Sequence, residues 1–339
     1  MLFDRSGPGW NYEELVVLND RALGLHAIIA IDSTRRGPAF GGVRRLAYGS
    51  EGLALSDALA LASAMTFKTA LAGLPAGGAK TVVIGREGLD LPEVYRRLGS
   101  AIEHLGGRYV CGPDLGTGDR ELGWIRTATE HVNPLDNDAG RATARGVMAG
   151  LRAVWSFLDI EGRGSSVAIQ GCGAVGLALI RTLRALRVRV VAADTSAAAV
   201  RAAKDAGAQI VAPSRILETP CDVLIPCAVG GIISAELVPR LRCRAICGSA
   251  NNQLRTAEVG LLLHAAGIAH APDVIVSAGA VIEGVLTVTG APEPDRDAVA
   301  AAIDRIEATT LEVLETSVRL GQPPAVVAVA RAQDILGGR

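Results

Sequence analysis

The phrase SSVAIQGCGAVGLALIRTLRALRVRVVAADTS, residues 165–196, constrains this chain more than any other. It places Gly171, Gly173 and Gly176 as GxGxxG between an apolar run and a helical one, and a second apolar run ends at Asp194. Strand, glycine turn, helix, strand and acidic residue, in that order, make a dinucleotide-binding unit. Gly171 permits the tight turn, Gly173 lets a pyrophosphate approach the backbone, and Gly176 allows close helix packing. The helix amino end, opened by Ala174 and Val175, favours the anion. Asp194 suits the hydroxyls of an adenosine ribose and repels a 2′-phosphate. Thr195 and Ser196, which follow it, carry no positive charge, so the expected cofactor is NAD rather than NADP.

The remaining chain agrees with an α/β class. At about 150 residues per domain, 339 residues predict two domains. Strands are expected at 15–18, 25–31, 81–84 and 108–111, with helices at 54–70 and 91–105 and a Gly/Pro loop at 73–78. The polar segment 133–142 is the expected hinge. From Thr143 a helix leads into alternating strands and helices, the pattern of a doubly wound parallel sheet. Helices at 298–316 and 325–335 end the chain. The expected architecture is two domains around a cleft. Residues 1–135 with the helices after about 316 form a substrate-binding and oligomerisation domain, and residues 136–315 form a Rossmann NAD-binding domain.

Composition excludes several classes. The chain is 49% hydrophobic and 20% charged, with a formal net charge of −1. That supports real cores and argues against disorder and against a nucleic-acid partner. No run of about 18 apolar residues suggests a membrane span, and MLFDRSGPGW lacks the pattern of a signal peptide. The six cysteines fit neither a zinc spacing nor a disulfide framework, so no metal is expected, and free thiols in a reducing cytoplasm are.

Lysine is scarce. Of 34 basic residues only Lys68, Lys80 and Lys204 are lysine, and the other 31 are arginine. A desolvated lysine can lose its proton, whereas arginine effectively cannot. Lys68 ends a helical stretch and Lys80 follows the glycine loop at a strand start, so both ammonium groups can share one cleft. One would hold a carboxylate while the other serves as a base near neutral pH. Asp114 ends the strand GRYVCG, where α/β proteins commonly place chemistry.

These residues sit in longer phrases: GPAFGGVRR (37–45), MTFKTALAGLPAGGAKTVVIG (65–85), GPDLGTG (112–118), TARGV (143–147), CDVLIPCAVGG (221–231), GSANNQL (248–254) and APDVIVSAGAVI (271–282). In this order, across nearly the whole chain, they resemble the glutamate/leucine/phenylalanine/valine dehydrogenase family, most closely its leucine–valine–phenylalanine branch. The resemblance implies reversible oxidative deamination of an L-amino acid to a 2-oxo acid and ammonia, with NAD as acceptor, in a homo-oligomer. It implies that Lys68 binds the substrate carboxylate, that Lys80 activates water, and that Asp114 exchanges protons with the amino group. It also places Phe40, Gly41, Gly42 and Met65 at the substrate, and Thr143, Cys227, Ala228 and Asn251 near the cofactor.

The chain departs from the family pattern where NAGG is usual. Ser277 replaces the asparagine that serves the substrate–nicotinamide region, Ala280 replaces the second glycine, and Glu283 follows. Phe40 is bulky and apolar, and no cation is placed for a distal carboxylate, so an apolar substrate side chain is expected. Leucine, valine, phenylalanine and tryptophan all remain open. The competing readings are an oxidoreductase of the same fold acting on an unusual amino acid or an imine, and a non-catalytic NAD-binding sensor.

Overall fold

The computed structural model describes residues 12–134, 138–290 and 295–337. Segment 1–11 and part of the expected hinge (135–137) lie outside them. The chain divides into two compact units, residues 1–137 with 284–294 and residues 138–283 with 295–339.

In the first unit β1 (Glu14–Asp20) and β2 (Leu25–Ser33) form an antiparallel hairpin. Asp20 Oδ1 accepts the Ala22 and Leu23 amides at 3.1 Å, and Gly24 takes a positive φ of 63° to close the turn. β3 (Ala39–Leu46), α1 (Glu51–Leu71), β4 (Gly77–Ile84), α2 (Leu91–Glu103), β5 (Tyr109–Gly112) and α3 (Asp119–Arg126) follow. The sheet order is β1-β2-β4-β3-β5, with β3 parallel to both β4 and β5. Both faces are covered, so β2 reads as an almost continuous apolar run. Ile28 and Ala30 meet the alanine face of α1, while Leu25, Ile29 and Ile31 meet α2 and α3.

Two expectations change here. Residues 77 and 78, read as loop, begin β4, so Lys80 lies inside the strand. β3 is not among the strands the sequence predicts. Its pairing explains both: Ala39 and Phe40 stand opposite Gly77 and Gly78. A Cβ on Gly78 would clash with the Thr66 backbone nitrogen and come 2.5 Å from its hydroxyl. Glycine at this point lets α1 lie directly on β4.

The second unit opens with α4 (Ala139–Phe157), capped by Asp138, whose Oδ1 accepts the Arg141 amide at 2.9 Å. Then come β6 (Ser166–Gln170), α5 (Ala174–Ala185), β7 (Arg189–Ala193), α6 (Ala197–Asp205), β8 (Gln209–Ile210), β9 (Val223–Pro226), β10 (Ala245–Ile246), α7 (Ala257–Ala265), β11 (Ala269–His270), α8 (Asp273–Val276), α9 (Gly279–Thr289, whose residues from Gly284 on belong to the first unit), α10 (Arg296–Leu320) and α11 (Pro324–Ile335). The sheet is wholly parallel, in the order β11-β10-β9-β6-β7-β8. The order reverses between β6 and β9, the switch point at which doubly wound sheets bind ligands.

The helices after about 316, grouped from sequence with the amino-terminal domain, pack in the second unit instead. α10 runs along α4, joined by Arg145–Asp304 at 2.6 Å and Arg152–Glu307 at 2.5 Å, and α11 lies against α10 and β11. Among the described residues no helix is long and apolar enough to cross a membrane.

Candidate active site

In the first unit, the site grows from β3, β4 and the loop after β5. Lys80 is 7% exposed, and its Nζ lies 2.5 Å from Asp114 Oδ2. The Asp114 loop is held tightly. Asp114 and Thr117 exchange backbone hydrogen bonds, the Arg45 amide donates to Leu115 O at 2.8 Å, and Thr117 Oγ1 lies 2.7 Å from the Tyr95 hydroxyl. β3 can receive this loop because Gly42 has no side chain: a Cβ there would lie 2.6 Å from Pro113 O and 2.8 Å from Asp114 Cβ.

Gly41, its neighbour, accepts the Tyr109 hydroxyl at 3.0 Å through its carbonyl. Phe40 is buried between Gly78 and Val110. Lys68 is buried in the last turn of α1, and Met65, half-buried, lies one turn earlier. The contact of Thr66 with Gly78 sets this turn against the strand segment that carries Lys80. A buried hydrogen bond of 2.5 Å from Thr66 Oγ1 to Asp32 Oδ2 ties α1 to β2 as well.

Sequence reasoning missed three residues. Arg44 Nε donates to Asp114 Oδ2 at 3.1 Å, so Arg44 and Lys80 share that oxygen. Another guanidinium nitrogen reaches Asp57 Oδ2 at 3.1 Å, and the Tyr48 hydroxyl donates to the same oxygen at 2.5 Å. Strand alternation was the available signal, since Phe40, Gly42 and Arg44 share one face of β3.

Burial and charge set the protonation states. Burial pushes the Lys80 amine below the ordinary lysine range. Asp114 opposes that shift, and the Arg44 charge adds to it. For Asp114 burial acts upward, but Lys80, Arg44 and the Leu115 amide outweigh it and hold the carboxyl below its usual range. The result is a shielded carboxylate beside an amine that gives up its proton more readily than a free lysine.

In the second unit the glycine turn follows β6 as expected. Gly171 has φ 96°, and a Cβ on it would sit 2.8 Å from Ala228 Cβ. The turn therefore packs against the segment after β9, where the Cys227 amide donates to Gln170 O at 2.7 Å. Gly176 faces the Gly171 carbonyl at contact distance. Gly173, the N-cap of α5, differs: a Cβ there meets no atom within 4 Å, and no side chain caps the helix. Ala174 is exposed and Val175 half-buried in its first turn. Asp194 Oδ2 accepts the Cys172 amide and Oδ1 the Ser196 amide, both at 2.7 Å, with exposed Thr195 between. Two bonds leave a carboxylate with further acceptor capacity.

Ser277 and Asn251 come together. Ser277 Oγ donates to Asp273 O at 2.7 Å and lies 3.4 Å from Asn251 Oδ1. The departing phrase SAGAVIE spans the start of α9. There Gly279 packs on Ala142 and Thr143, which brings Thr143 to the same segment.

Two sequence matches bear on this geometry. Residues 15–131 match the Glu/Leu/Phe/Val dehydrogenase dimerisation domain, and residues 196–306 match the glutamate/leucine/phenylalanine/valine dehydrogenase domain. The leucine dehydrogenase of Thermoactinomyces intermedius is 37% identical over 335 residues, covering 96% of this chain and 91% of its own length. The chain belongs to the Glu/Leu/Phe/Val dehydrogenase family. It is thereby an amino-acid dehydrogenase, an oxidoreductase. The valine dehydrogenase of Streptomyces coelicolor is 38% identical over 331 residues, covering 94% of this chain and 90% of its own. Among solved structures, L-tryptophan dehydrogenase from Nostoc punctiforme superposes with a TM-score of 0.84 at 31% identity, covering 97% of this chain and 96% of that one. The family fold has the dimerisation unit first and the Rossmann-type unit second, as the two sheets do here.

Proposed function

We propose that this chain catalyses the NAD-dependent oxidative deamination of an L-amino acid with an apolar side chain, giving the 2-oxo acid and ammonia. The buried Lys80–Asp114 pair at 2.5 Å carries the reading. Membership of a family whose relatives include leucine, valine and phenylalanine dehydrogenases supports it.

Lys68 holds the substrate carboxylate. Asp114, kept ionised by Lys80 and Arg44, accepts a proton from the substrate ammonium, which frees the nitrogen lone pair. NAD supplies the acceptor for the hydride that leaves Cα. Lys80, its amine lowered by burial, gives up its own proton to solvent and then, as the free amine, takes a proton from the water that adds to Cα of the resulting iminium. Asp114 then returns its proton to the nitrogen of the water adduct, and as the C–N bond breaks and C=O forms the hydroxyl proton leaves with the ammonia. In the second unit Gly173 leaves backbone space at the amino end of α5 for a pyrophosphate, and Asp194 has acceptor capacity for the ribose hydroxyls. Buried Phe40 and half-buried Met65 favour an apolar substrate side chain.

The test is NADH formation at alkaline pH across the standard L-amino acids, with NADP and Lys80→Ala as controls. Turnover of an apolar amino acid with NAD, abolished in Lys80→Ala, is expected. Turnover of glutamate alone, or preference for NADP, overturns the reading.

A further inference from the structure

Arg44 lies in the chain Tyr48–Asp57–Arg44–Asp114–Lys80, and every link has hydrogen-bonding geometry. Tyr48 to Asp57 is 2.5 Å, Asp57 to Arg44 3.1 Å, Arg44 to Asp114 3.1 Å and Asp114 to Lys80 2.5 Å. The guanidinium uses Nε for Asp114 and a terminal nitrogen for Asp57, so two carboxylates grip different edges of one planar group. Its side chain is 16% exposed, as is that of Asp114, so the pairs are shielded rather than solvated. An exposed ion pair contributes little. A clamp with both ends fixed to secondary structure, β3 through Arg44 and α1 through Asp57, sets an orientation.

We propose that Arg44 is a positioning residue for the reaction: clamped by Asp57, it fixes the Asp114 carboxylate against the Lys80 amine and keeps a permanent positive charge beside that amine. The proposal rests on the reading of Lys80 and Asp114 as proton carriers. Arginine suits the place because its fork reaches both carboxylates and its charge does not titrate.

The groups around Lys80 fix the sign of the effect. Asp114 and Asp57 favour the protonated amine, and Arg44 disfavours it. Tyr48 and Tyr109 are pushed upward by burial and stay neutral, and the Cys111 thiol is pushed up to about 12 by burial. Glu51 and Lys68 on α1, His26 and Asp32 on β2 and Arg45 on β3 complete the titratable set on the neighbouring elements. Removing the Arg44 charge therefore lets Lys80 keep its proton to higher pH.

The scarcity of lysine makes this measurable without turnover. Trace acetylation with limiting acetic anhydride across pH, read by mass spectrometry, reports on Lys68, Lys80 and Lys204, and exposed Lys204 serves as reference. In Arg44→Met the Lys80 midpoint is expected to rise by about one pH unit, and Arg44→Lys should bring it most of the way back. The acid limb of kcat/KM should move with the labelling midpoint, with kcat reduced and KM for the amino acid changed less than about twofold. Asp57→Asn, which keeps the cation and removes an anion, should move the midpoint the other way, so the proposal stays testable if Arg44→Met fails to fold. An unmoved Lys80 midpoint in folded Arg44→Met, or no downward shift in Asp57→Asn, overturns the proposal. If the wild type turns over no amino acid, the proposed function fails while the labelling midpoints still decide the role of Arg44.

Discussion

Lys80 and Arg44 meet at one atom, Asp114 Oδ2, at 2.5 and 3.1 Å. Two cations on a single carboxylate oxygen keep Asp114 charged, while burial and the second cation loosen the proton on Lys80. The pair thus combines an ionised proton acceptor and a weakened ammonium within hydrogen-bond reach of each other.

Base catalysis by Lys80 requires a group that can lose its proton. Lys80→Ala should lower kcat by roughly 10²–10⁴, with NAD affinity unchanged. Lys80→Arg should be as poor, because arginine keeps the charge and cannot act as a base. Steady-state NADH formation checks both variants. An arginine variant retaining a tenth or more of the wild-type rate would rule out the proton-transfer role.

Asp114→Asn separates rate from titration. The carboxylate raises the proton affinity of Lys80, so its removal lowers it further. The plateau of kcat/KM should fall by about 10²-fold or more, while its acid limb moves to lower pH. A limb that moves to higher pH would mean that another group governs the titration.

The glycines of the second unit predict opposite outcomes for the same substitution. Gly173→Ala meets no protein atom, so Tm should hold while Kd for NAD rises, since the new methyl occupies the approach to the backbone. Gly176→Ala presses on the Gly171 carbonyl and should cost about 1–3 kcal/mol of stability. Thermal melts and calorimetric NAD titration on the two variants distinguish them. Equal loss of Tm in both would place Gly173 in the packing rather than at the cofactor.

How much of this was legible in sequence follows from how local each signal is. The turn 171–176 and Asp194 lie within one strand–helix–strand unit, so spacing alone located them. Lys80 and Asp114 stood out by residue type and by their glycine loops, yet the strand holding Lys80 was cut short. Gly77 and Gly78 carry no strand propensity, and what makes glycine necessary there is distant backbone: the Ser33 carbonyl against Gly77, and the Thr66 nitrogen and Ala62 carbonyl against Gly78. Gly41 and Gly42 hid β3 in the same way, and with it Arg44. Asp57 lies on a helix 13 residues from Arg44, and Asp114 lies 70 away on a loop. No periodicity in one segment announces a bond between three. The helices after 316 show the same limit: their sequence names no partner, and only the packing of α11 on α10 and β11 reveals it.

His270 predicts how stability depends on pH. It ends the edge strand β11, is 3% exposed, and neither ring nitrogen has a partner among the described residues. Burial lowers its pKa, with the Asp273 charge opposing. The unfolded chain then binds a proton near pH 6.5 that the folded chain refuses, so stability is lost as pH falls below about 6.5. His270→Phe removes that linkage and two unsatisfied nitrogens together. It should raise the unfolding free energy at neutral pH by about 1–2 kcal/mol for the relieved desolvation, seen as a higher urea midpoint, and its advantage over wild type should widen toward pH 5.5. Urea unfolding of both proteins from pH 7.5 to 5.5 measures this. A gap that stays constant or narrows with acid would mean that His270 takes up its proton in the folded state.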